Sequence, residues 1–65
     1  MPRPDEALLK LRHDLSNPLA ALLAETQLLL LSAEKFDAET LAGLRQVEAL
    51  ARRMCQLLEN TPPAA

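Results

Sequence analysis

Leucine recurs at Leu8, Leu15, Leu22 and Leu29, every seventh position through the first half of the chain. Two turns of α-helix take about seven residues, so these side chains fall on one stripe of a helix. Leu11, Leu19 and Thr26 fill the adjoining stripe. The pattern describes a long helix in a bundle and predicts it from about Pro4 to about Ser32. Pro4 suits a first helical position, where an N–H would go unpaired in any case. Asp5 and Glu6 follow, where the positive end of the helix dipole favours acids.

A second periodic run follows a short break. Leu41, Leu44, Val47, Ala51, Met54 and Leu58 are spaced by three and four, the inner face of a helix over about Ala38 to Asn60. Asp37 is a good N-cap. Phe36 before it and Leu41 after it have the spacing of a hydrophobic staple. Thr61, Pro62 and Pro63 end the helix. The turn falls at about residues 33–37, and helices joined so tightly lie antiparallel. The fold class is all-α, one antiparallel two-helix hairpin spanning the chain. Two helices cannot enclose a dry core. Leu9, Leu23, Leu30, Leu50 and Leu57 flank the main seams and need cover. A twofold homodimer closing a four-helix bundle supplies it.

Composition agrees and excludes several classes. Hydrophobic residues make up 49% of the 65 residues but aromatic residues only 2%, which suits helices and offers a sheet little. The net charge is −2 and no basic cluster exceeds Arg52-Arg53, so nucleic-acid binding lacks its electrostatic footprint. The longest apolar run, Leu28 to Leu31, falls far short of the roughly 20 residues that span a bilayer. This segment therefore has no membrane contact of its own, though a parent protein could carry membrane segments elsewhere. The lone Cys55 can form neither an internal disulfide nor a metal cluster, which fits a reducing cytoplasm. It reads as a small apolar residue, buried or half-buried.

The chemistry-bearing segment is His13-Asp14-Leu15-Ser16-Asn17-Pro18-Leu19. At 100° per residue, His13 lies about 200° from both Leu11 and Leu15, and so faces water opposite the seam. Asn17 is one turn above it on the same side. Asp14 stands beside this stripe, about 100° away. Pro18 cannot donate to the carbonyl of Asp14, clashes with it, and disfavours helical geometry at Asn17. At about 3 kcal/mol, such a residue is not selected for stability within a leucine seam. A local bend beside an exposed histidine marks a working site.

This segment resembles the H-box of sensor histidine kinases: histidine, an acid, two variable residues, threonine or asparagine, then proline and usually leucine. With the turn and the leucine-rich second helix, the resemblance covers nearly the whole chain. It implies the dimerisation and histidine-phosphotransfer domain, called HisKA or DHp. His13 would be the phosphoacceptor, attacking the γ-phosphorus of ATP and passing the phosphoryl group to an aspartate of a response-regulator receiver domain. Asp14 would be the general base or set the ring tautomer. Asn17 matches the position that orients water when a partner regulator is dephosphorylated. Pro18 matches the hinge.

Along the His13–Asn17 face lie Ala20, Ala21 and Ala24, small residues in a chain that otherwise uses leucine freely. They are expected to dock the receiver. Lys10 and Arg12 would add positive potential near a phosphoryl group, or serve solubility equally well. Arg52 and Arg53 read as a solvated face. The chain has no glycine-rich nucleotide lid and no sheet, so it binds no cofactor itself. ATP and Mg²⁺ belong to a separate ATP-binding domain, and alone this chain should be inactive as a kinase. Two alternatives stand beside the kinase reading: a free-standing phosphotransfer relay, and a purely structural dimerising hairpin. No metal site is expected.

Overall fold

The computed structural model describes residues 3–60. Helix α1 runs Pro4–Leu30 and α2 runs Ala38–Asn60, with a 3-10 turn at Ala33–Lys35 between them. The helices pack antiparallel into a rod of 50 × 15 × 13 Å. No strand occurs among the described residues, and no helix is long and apolar enough to cross a membrane. The expected end of α2 at Thr61, Pro62 and Pro63 lies outside the described residues.

Helix α1 starts at Pro4 as expected. The Glu6 carboxylate accepts a bond from the Arg3 backbone N–H at 3.4 Å. Its end comes two residues earlier than the spacing predicts. The Leu31 N–H is shared between the Gln27 and Leu28 carbonyls, both at 3.2 Å, and the Ser32 N–H bonds Leu29 at 3.0 Å. The last turn tightens to 3-10 geometry, which uses up carbonyls that a longer helix would need. The turn then closes through Lys35 N–H to Ser32 and Phe36 N–H to Ala33. It requires no glycine, and no described residue has positive φ.

Asp37 caps α2. Its carboxylate accepts the Thr40 N–H at 2.7 Å, satisfying one of the four unpaired first-turn donors. The bonds from Thr40, first its side chain and then its backbone, hold the Asp37 carboxyl below its ordinary value. Phe36 and Leu41 are both half-buried, as a hydrophobic staple across the cap requires.

The buried seam is rotated from the one the leucine spacing suggests. On α1 it runs through Leu8, Arg12, Ser16, Leu19, Leu23, Thr26 and Leu30, all buried or half-buried. Leu11, Leu15, Leu22 and Leu29, expected in the seam, are exposed, whereas Leu23 and Leu30, expected to flank it, pack inside. On α2 the seam is Leu41, Leu44, Glu48, Ala51, Cys55 and Leu58; Val47 and Met54 are exposed instead. Each helix thus carries two adjacent apolar stripes, and one partner helix can cover only one of them. The stripe that mixes leucine with Arg12, Ser16 and Thr26 can turn inward without orphaned groups, since each polar side chain there finds a bond. Thr26 is buried with its hydroxyl donating to the Leu22 carbonyl at 2.7 Å.

Only Leu19, Thr26 and Ala51 are buried among the described residues, and the other seam residues are half-buried. The second stripe of each helix stays uncovered: Leu11, Leu15, Leu22 and Leu29 on α1, with Val47, Leu50, Met54 and Leu57 on α2. Between the helices on that side is an open apolar groove of about 330 Å³, floored by Leu19 and Leu58 and walled by Leu15, Leu22, Met54 and Leu57.

Candidate functional site

His13 is exposed on the lower half of α1, with exposed Asn17 one turn above it. Neither side chain has a hydrogen-bond partner among the described residues. Both imidazole nitrogens and the carboxamide are therefore open to an incoming molecule. The helix wheel sets His13 about 180° from Leu22, on the side of α1 opposite the uncovered stripe. His13 and that stripe therefore form separate surfaces.

Asp14 is also exposed, but its carboxylate points down the helix. Lys10 Nζ donates to Asp14 Oδ2 at 2.9 Å. The expected bond between Asp14 and the His13 ring is absent from this arrangement, with Lys10 in its place. Both partners are more than half exposed. Such a pair is worth only about 0.3–0.5 kcal/mol, so turning Asp14 toward the imidazole costs little.

Pro18 leaves α1 continuous from Pro4 to Leu30. Position 18 supplies no N–H to the Asp14 carbonyl. Two positions earlier, the Ser16 hydroxyl donates to the Arg12 carbonyl at 2.7 Å, a second bond to an oxygen that the helix already uses. The two turns from Arg12 to Pro18 therefore have an unevenly bonded carbonyl row. The Pro18 ring lies in the apolar groove, away from the His13 face.

Ala20, Ala21 and Ala24 are all exposed. Around the axis Ala20 and Ala24 lie within about 20° of His13, and Ala21 about 80° away. The small-residue strip thus continues the His13 face toward the turn. Cys55 is half-buried in the seam as a free thiol. Arg52 bonds Glu48 at 3.3 Å on the surface of α2. Among the described residues no group of three or more His, Cys, Asp or Glu side chains could hold a metal ion.

Arg12 is the residue whose place the sequence reading missed. Its side chain turns into the hairpin and Nη2 donates to the Glu59 backbone carbonyl at 3.1 Å. The signal was available: Leu8, Arg12, Leu19 and Leu23 are spaced four, seven and four, a seam register of its own. The heptad of pure leucines beside it masked that register.

No family model matches the chain, and no curated protein and no solved structure does so.

Proposed function

We propose that this chain is a dimerising phosphoacceptor module of the sensor histidine kinase type, with His13 as the residue that takes and passes on the phosphoryl group. One observation carries the reading: the exposed His13–Asn17 face and the uncovered apolar stripe lie on opposite sides of α1. A second copy of the chain covers the stripe, completing a four-helix bundle and the core that the hairpin lacks. The histidines then face outward on both flanks.

The transfer is an in-line displacement. A His13 ring nitrogen forms a bond to the γ-phosphorus of ATP, held by an ATP-binding domain outside this chain, while the bond to the ADP oxygen breaks and ADP leaves. Imidazole suits this attack because its neutral form is well populated near pH 7. Asp14, once turned from Lys10, accepts the bond of the other ring N–H and stabilises the cation formed on attack. The N–P bond then breaks as a receiver aspartate takes the phosphoryl group. Ala20, Ala21 and Ala24 let that receiver's backbone approach closely. Asn17 orients water for the reverse, dephosphorylating role. ATP as donor puts the reaction in the cytoplasm.

The test is to incubate the chain with ATP, Mg²⁺ and the catalytic domain of a histidine kinase, and in parallel with phosphoramidate as a small donor. Acid-labile, base-stable label is expected on wild type and absent from His13→Ala. Label that persists in the variant, or none on wild type under either condition, overturns the reading.

A further inference from the structure

Arg12 occupies a position that neither solubility nor bulk electrostatics explains. It sits in the buried seam one residue before His13, half-buried, and reaches across 47 residues of sequence to the Glu59 carbonyl at 3.1 Å. Glu59 lies in the last turn of α2, where carbonyls have no partner within the helix. The residues three and four beyond Glu59 are Pro62 and Pro63, which carry no N–H to offer in any conformation. A donor for this carbonyl must therefore come from elsewhere in the molecule or from water. The guanidinium provides it and also places a positive charge at the negative end of the α2 dipole. On the α1 side, the Arg12 backbone is held in turn by the Ser16 hydroxyl at 2.7 Å. The Ser16–Arg12–Glu59 chain ties the turn of α1 bearing His13 to the end of α2.

We propose that Arg12 is a positioning residue, a clasp that makes order in the last turn of α2 and order around His13 rise and fall together. The clasp rests on geometry; its purpose, holding His13 in register for an incoming donor or acceptor, rests on the phosphoacceptor reading above. Lys10 lies two residues away and carries the same charge, but it is spent on Asp14 at 2.9 Å and does not reach α2. Arg12 alone of this pair couples the helices.

The experiment is amide hydrogen exchange and His13 ring NMR on the full chain. Arg12→Ala should speed exchange of the last-turn α2 amides about fivefold, the value of one net hydrogen bond of about 1 kcal/mol. Arg12→Lys, which keeps charge and donor, should recover most of the protection. Arg53→Ala, an exposed position on α2, serves as the control for general destabilisation and should change nothing. The coupling is read by a double-mutant cycle. Glu59→Gly loosens the end of α2 and should shift the His13 ring signals in the wild-type background but not in Arg12→Ala. Equal shifts in both backgrounds, or last-turn protection unaffected by Arg12→Ala, would overturn the clasp. Neither readout uses phosphate. Failure of the labelling assay thus counts against the phosphoacceptor reading, and failure of the exchange assay against the clasp.

Discussion

Replacing Leu22 by alanine should weaken self-association without unfolding the hairpin. Leu22 points away from the seam and is 48% exposed. Burying a whole leucine is worth about 1.5–3 kcal/mol, so covering the exposed half adds about 0.7–1.5 kcal/mol per copy. A twofold dimer counts the residue twice, and Leu22→Ala should cost about 1.5–3 kcal/mol of dimer stability, roughly ten- to a hundredfold in Kd. Leu31 is the internal control. At 79% exposed it is the most open large apolar residue described, but it lies at the C-cap of α1, about 180° around the axis from Leu22. Leu31→Ala should leave Kd within about twofold of wild type, since removing an exposed surface group changes little. Sedimentation equilibrium over a dilution series measures both. A hydrophobic effect without geometry would make Leu31 the more sensitive site. Equal Kd for the two variants, or a wild-type chain monomeric at every concentration, would refute the dimer face.

Two predictions concern the hairpin itself. Thr40 holds the Asp37 carboxyl below its ordinary value of 3.8, so the cap contributes fully above that value and is lost as pH falls through the lowered folded-state value. Thermal melts of wild type should lose more on acidification than those of Asp37→Asn, and parallel curves would refute the cap's role. Gly43 lies inside α2 with open space where a Cβ would stand, so Gly43→Ala should raise stability by about 0.5–1 kcal/mol in denaturant unfolding. Destabilisation instead would mean that another surface packs closely against that part of α2.

Local rules made the helices legible in the sequence. Pro4, the acids behind it, Asp37 and Phe36 mark boundaries through bonds made within a few residues, and the structure places both helix starts where those signals stand. The exposure of His13 and Asn17 was equally legible, because it depends only on the angle between them and the leucines. The choice of seam was not. Leu22 and Leu23 differ by one position on the wheel, and either leucine stripe could face inward on hydrophobicity alone. Packing against α2 covers the mixed stripe, and side-chain bonding makes that burial tolerable. Arg12 reaches the Glu59 carbonyl, while Ser16 and Thr26 satisfy themselves on carbonyls of their own helix, so the mixed stripe is buried without orphaned polar groups.

The pairing of Asp14 with Lys10 was legible but passed over. The two stand four residues apart on one helix face, whereas His13 and Asp14 are adjacent and diverge by about 100°. What this chain determines by sequence alone is therefore its two helices, their turn and the residues that share the His13 face, since 3.6 residues per turn links neighbours rigidly. What only the tertiary structure decided is which leucine stripe is covered and that Arg12 joins the His13 turn to the end of α2. Both outcomes depend on contacts between the helices, of which Arg12–Glu59 spans 47 residues, and periodicity within one helix offers two registers without choosing between them.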